Sequence, residues 1–191
     1  MLTMLFVLGL SVCLAFAAGQ WPPATALAVL LAAWAGTTFP DLDQLLPLGH
    51  RSALTHSILP AAIACLWRRG SGVAAGLALG IGLHLSADLF PEAMRGFATV
   101  KLPGFGSIGW QASYIWFAIN AFASLTLGAW LLGRLMGPRL ALAVLATTAL
   151  IGIVYLFSVD GGWWALAMFG GTGWLALRRP VQPGKRSNFG S

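Results

Sequence analysis

The sequence predicts an all-α fold, a polytopic integral membrane bundle of six to seven transmembrane helices, and three observations predict it. Hydrophobic residues fill 58% of the 191 positions and charged residues only 8%, where an ordinary soluble domain carries about 25% charged residues. Mean hydropathy is +0.81. The apolar residues also fall in runs that approach the roughly 20 residues needed for one crossing, divided by short breaks of Gly, Pro and charge. Residues 1–177 therefore read as a single transmembrane helical domain. Residues 178–191 read as a basic tail, rich in Pro, Gly and Ser and expected to be disordered.

Each element follows in turn. Residues 1–18 are continuously apolar with no Lys or Arg ahead of them, so they lack the positive flank of a secretory signal and read as a retained first span. Gly19-Gln20-Trp21-Pro22-Pro23 is a turn. Residues 24–39 form the second span, ended by Pro40, because the residue before a proline is biased away from helix. Residues 41–52 are a polar connection. The third segment, 53–67, is short for a crossing and contains Pro60, so it is expected to kink or re-enter. The fourth, 71–90, carries Gly72, Gly76 and Gly80 at intervals of four, a small-residue stripe that lets a neighbouring helix approach closely. Residues 91–110 form the longest non-helical connection, long enough for a flap over the end of span four. Three further spans are expected at 111–136, 139–159 and 163–177. Most of the nine tryptophans fall near span ends, as an interfacial belt requires.

The net charge of +6 and the pI near 10.4 do not indicate nucleic acid, since the basic residues stand singly or in pairs at the ends of apolar runs and form no stripe. They serve better as topology signals. With seven spans, Arg68, Arg69, Arg134, Arg139, Arg178, Arg179, Lys185 and Arg186 share one face, and Arg51, Arg95 and Lys101 share the other. The positive-inside rule then puts the first group in the cytoplasm and the second outside, in an inner (plasma) membrane. Cys13 and Cys65 both lie in apolar runs and define no disulfide framework.

Function is concentrated in two segments, 40–57 and 82–92. They hold all three histidines, His50, His56 and His84, together with Asp41, Asp43, Asp88 and Glu92 of the five acidic residues. Alternate crossings bring both segments to the same membrane face. Ionisable groups in an apolar setting are costly unless paired or bound to a metal, and such clusters mark functional sites. His84 and Asp88, at i and i+4, project from one helical face and suit two ligands of one ion, although an intrahelical hydrogen bond accounts for the pair equally well. Imidazole with carboxylate suits a divalent metal, zinc first, with manganese or iron(II) as alternatives. The expected metal ligands are Asp43, His56, His84 and Asp88. Arg51, Asp41 and His50 are the expected catalytic residues, Arg51 as a fixed positive charge for an anionic group. Three histidines and three aspartates exceed the needs of one ion, so either two metals bind or one acid serves as a base. Asn120 and Asp160 have plain readings as an interhelical hydrogen bond and a helix-end cap.

The order Pro40-Asp41-Leu42-Asp43, His50-Arg51, Thr55-His56-Ser57 and Gly82-Leu83-His84-Leu85-Ser86-Ala87-Asp88 resembles the YdjM-like (LexA-binding) family of inner-membrane metal-dependent hydrolases, over roughly residues 35 to 105. The resemblance implies a multi-span protein with a His/Asp metal site and hydrolase activity. Members typically carry a histidine after the second aspartate, a glycine after the His-Arg pair and a Gly-His near the N-terminus. Here Gln44 and Ser52 stand in the first two places and the first span has no histidine.

The expected function is thus a membrane-embedded hydrolase in which a metal-activated water attacks a phosphoester or ester of a lipid or lipid-linked substrate near the interface. The alternatives are a divalent-metal transporter or sensor, and a phosphohistidine-type lipid phosphatase. Transporters place their sites near the midplane between repeats, and no repeat is visible here. The phosphatase would need a Pro-Ser-Gly-His signature that this chain lacks.

Overall fold

The computed structural model describes residues 1–17, 21–67, 69–89, 94–159 and 164–177, and is mostly helical. Among the described residues there are seven α-helices: α1 (Leu2–Ala17), α2 (Pro22–Gly36), α3 (Leu59–Cys65), α4 (Ser71–Asp88), α5 (Trp110–Leu135), α6 (Pro138–Ser158) and α7 (Trp164–Leu177). Proline at the first positions starts α2, α3 and α6, where its missing N–H and fixed φ cost nothing. Two helices, α5 and α6, are long and apolar enough to cross a membrane.

Helix α4 lies at the centre. Nearly all of its residues are buried, between α2 on one side and α5 on the other. The glycine stripe explains the first contact: a Cβ on Gly80 would stand 2.7 Å from the Gly36 Cα, and one on Gly76 would stand 2.6 Å from the Ala32 Cβ. Gly82 does the same toward α5, where a Cβ would meet Leu125 at 2.6 Å. Without side chains at these positions the backbones approach closely, and dispersion takes the place of hydrophobic burial as the cohesive force. Gly72 at the start of the stripe is less tight, since a Cβ there would stand 3.4 Å from its nearest neighbour, the Thr25 methyl.

The third segment is short, as the sequence expects, and little of it is helical. Only Leu59–Cys65 is helical, about 10 Å at 1.5 Å per residue, so helix covers only part of the chain's return from the site to the start of α4. Residues 53–58 form turns, because their backbone groups are committed to the site: Ala53 N–H donates to the Lys101 carbonyl at 2.9 Å and Ile58 N–H donates to Asn120 Oδ1 at 3.0 Å. The fold is also not purely helical. A two-residue hairpin pairs β1 (Lys101–Leu102) with β2 (Gly106–Ser107) in antiparallel register, and Ser52 bridges to Lys101 in parallel. This hairpin and the 3-10 turn at Gly96–Ala98 fold the connection before α5 over the end of α4. The expected tail, 178–191, lies outside the described residues, as do Glu92 and Asp160.

Candidate metal centre

Four pieces of chain meet at the C-terminal end of α4. The 3-10 turn Pro40–Gln44 brings Asp41 and Asp43. The following loop brings His50, Arg51 and His56, and the last turn of α4 brings His84 and Asp88. The segment 94–100 then closes over Arg51, whose Nη1 donates to the Ala98 carbonyl at 2.6 Å.

Each buried histidine has one ring nitrogen committed away from the centre. His84 Nδ1 lies 2.8 Å from the Thr37 carbonyl. A carbonyl only accepts, so Nδ1 carries the hydrogen, and in the neutral ring Nε2 is left with a bare lone pair. His56 Nδ1 lies 3.1 Å from Asp43 Oδ2, and the same argument leaves its Nε2 bare. Burial and the coupling to Asp43 pull the His56 pKa in opposite directions; burial prevails and holds the imidazole below its ordinary value. Burial also works against the Asp43 carboxylate, but hydrogen bonds from His56 and from the Ser52 N–H hold its pKa below the usual range. Asp43 is thus an anion behind a neutral imidazole.

The two bare nitrogens face the same carboxylate oxygen. Asp88 Oδ2 lies 3.4 Å from His84 Nε2 and 3.6 Å from His56 Nε2. Both His56 Nε2 and Asp88 Oδ2 are buried without a hydrogen-bond partner, and buried polar groups are rarely left so. Asp41 Oδ1 lies 3.9 Å from His84 Nε2. Asp41, His56 and His84 offer ligand atoms all within 4.8 Å of one another, a group that can hold a metal ion. Asp41 is the more exposed member, so the cluster opens to solvent on its side.

The geometry distributes the sequence-predicted residues unevenly. His56, His84 and Asp88 come together. Asp41, assigned to catalysis from the sequence, falls within ligand spacing of His84, whereas Asp43, assigned to the metal, touches the far nitrogen of His56 through Oδ2. That oxygen also accepts from the Ser52 N–H at 2.8 Å and Thr55 Oγ1 at 3.3 Å, which leaves it no lone pair for a cation. Asp43 Oδ1 is buried and unpartnered. His50 stands apart, its ring 6.5 Å from that of His56 and 5.7 Å from Phe97. It lines an open cavity of about 410 Å³ with Asp43, Gln44 and Phe97. Arg51 Nη2 is paired with Asp88 Oδ1 at 2.7 Å, and its guanidinium lies 5.4 Å from the Phe117 ring centre. Its backbone is left-handed, φ 58°, a conformation costing about 1–2 kcal/mol for a residue with a Cβ. The side chain's contacts with Asp88, Ala98 and Phe117 hold it there.

Several residues at the site carry no sequence signal. Tyr155, on α6, places its hydroxyl 2.8 Å from His84 Nδ1. Trp116 Nε1 donates to the His56 carbonyl at 2.7 Å. Asn120, by contrast, is legible in the sequence as an interhelical hydrogen-bonding residue, and one helical turn further along α5 its Oδ1 accepts from the Ile58 N–H at the start of α3. The tyrosine and tryptophan lie in apolar helices far along the chain, and no local pattern distinguishes them from core or interface residues.

Fold and site together define a helical protein with a buried, metal-competent His/Asp cluster at one end of its central helix. Compared with known proteins, the chain matches no family model, no curated protein and no solved structure.

Proposed function

We propose that this protein is a membrane-embedded, divalent-metal-dependent hydrolase acting on a phosphoester or ester of a lipid or lipid-linked substrate. One observation carries the reading: two bare histidine nitrogens and a carboxylate oxygen, two of these three atoms buried without hydrogen-bond partners, face one point. Lone pairs so arranged repel one another unless a metal ion or a proton lies among them. His56 Nε2, His84 Nε2, Asp88 Oδ2 and Asp41 Oδ1 would hold the ion, and two imidazoles with two carboxylates suit zinc before manganese or iron(II). A bound ion supplies a Lewis acid that makes water nucleophilic near neutral pH.

The chain's own residues divide the remaining work. Asp43 fixes the orientation of the His56 ring and strengthens it as a donor, the arrangement of a carboxylate–histidine–metal triad. The Thr37 carbonyl does the same for His84. Arg51, paired with Asp88 Oδ1, holds that carboxylate in place and would present positive charge to an anionic substrate group. His50, at the rim of its cavity beside Phe97, is placed to contact the part of the substrate that remains in water.

The membrane reading extends the two membrane-length helices to a bundle of six to seven crossings, supported by the composition and the close helix packing around α4. The charge distribution supports an inner-membrane location with the site on the extracytoplasmic face. The motif order supports a relationship to the YdjM-like family, whose hydrolase description agrees with this donor set.

The test is elemental analysis of purified protein, wild type beside His84→Ala, together with mass-spectrometric detection of products from a panel of phospholipids and lipid-linked phosphates. One metal per chain, lost in the variant along with turnover, is the expected result. Turnover that survives metal removal overturns the hydrolase mechanism. Metal-dependent flux into proteoliposomes without product would point to transport instead.

A further inference from the structure

A groove of about 430 Å³ runs between α2 and α6, within the 300–1,000 Å³ or so usual for ligand sites. Its lining on α6 begins at Thr147 and ends at Ser158, about 16 Å of helix at 1.5 Å per residue. That is roughly half the 30 Å thickness of a bilayer's hydrocarbon core, one leaflet. The body is apolar, with Leu150, Ile151 and Val154 facing Trp34 of α2, and Leu150, Val154 and Trp34 are exposed at 61%, 67% and 53%. The polar end, with Thr37, Thr38 and Tyr155, adjoins the metal centre, since both the Thr37 carbonyl and the Tyr155 hydroxyl lie 2.8 Å from His84 Nδ1.

The tyrosine has a proton to spare. The Thr37 carbonyl requires His84 Nδ1 to carry hydrogen, so the Tyr155 oxygen faces a donor and its own O–H must point elsewhere. No second partner for it is present among the described residues. A groove of one-leaflet depth, apolar along its length and ending in a free hydroxyl donor beside a metal-competent histidine, is complementary to an amphiphile: a single alkyl chain with an oxygen-rich head.

From this juxtaposition we infer that the α2–α6 groove is the substrate's alkyl-chain site, entered sideways from the bilayer, and that Tyr155 donates to the head group's ester or phosphate oxygen. The inference rests on the lipid-hydrolase reading for its substrate class, but its own test needs no turnover. The full chain in nanodiscs is irradiated with a phosphatidic acid carrying a diazirine on one acyl chain, and the labelled residues are mapped by mass spectrometry. Labelling is expected on Leu150, Ile151 and Val154 above the level on Ile115, Ile119 and Phe122, exposed apolar residues of α5 that report ordinary annular lipid. Ile151→Trp or Val154→Trp, which fill the groove from different depths, should each cut groove labelling at least tenfold and leave metal content unchanged. Tyr155→Phe keeps the ring and should weaken competition by unlabelled lysophosphatidic acid several-fold, with little loss of competition by a plain fatty alcohol. Equal labelling of the two faces, or groove labelling unaffected by both tryptophan variants, overturns the inference even if the protein binds metal. Labelling confined to the groove in a protein without metal supports the groove and removes the hydrolase reading.

Discussion

Replacing Asp43 with asparagine separates a residue that orients a ligand from one that is a ligand. Asp43 Oδ2 receives the Ser52 N–H at 2.8 Å, Thr55 Oγ1 at 3.3 Å and His56 Nδ1 at 3.1 Å. Asparagine keeps one oxygen in that place but loses the charge. Hydrogen bonds to charged groups contribute about 1.5–3 kcal/mol and neutral ones about 0.5–1.5, so the His56 contact weakens by about 1–1.5 kcal/mol. At about 1.4 kcal/mol per tenfold, Asp43→Asn should bind zinc about tenfold more weakly, at the low end of the 10–100-fold or so seen when such outer partners are changed. The measurement is a competitive titration of detergent-solubilised protein against a chromophoric zinc chelator, with His84→Ala as the reference for a lost ligand. Unchanged affinity in Asp43→Asn would refute the orienting role. Loss as complete as in His84→Ala would place Asp43 in the ion's own coordination shell, where its unpartnered Oδ1 would have to be the ligand.

Three further outcomes follow from the same geometry. Gly80→Val should destabilise the protein by about 1–3 kcal/mol or more through overpacking, because a Cβ there collides with Gly36; thermal unfolding in detergent reads it, and an unchanged midpoint would show that α2 and α4 are not in close contact. Arg51→Ala should cost about 2 kcal/mol, below the 3–5 or so for a fully buried pair, because both partners of the Asp88 contact keep some exposure, 13% and 15%; a variant as stable as wild type would show that Asp88 is neutralised by other means. Saturating zinc, at 100 times its dissociation constant, should stabilise the folded protein by about 2.7 kcal/mol, and a chelator should reverse the gain; no shift in the unfolding midpoint would contradict a metal centre.

The sequence by itself determined the helical class, because composition and run length are local properties that decide where backbone hydrogen bonds must be satisfied internally. It also singled out His56, His84 and Asp88, since ionisable groups stand out against an apolar background. It located the glycine stripe on α4, though its partner, α2, is visible only once the helices are packed. The tertiary structure alone decided which aspartate faces the bare nitrogens, because Asp41 and Asp43 differ only in the direction a tight 3-10 turn points them. It also reduced the third segment to seven helical residues, where the backbone groups of 53–58 bond across to Lys101 and Asn120 and not along a helix. And it alone brought Tyr155 to His84 across 71 positions of chain. Distance along the sequence carries no trace of such a contact; it exists because α6 packs beside α2 and α4, and an isolated tyrosine in an apolar helix looks the same whether it faces lipid or a histidine.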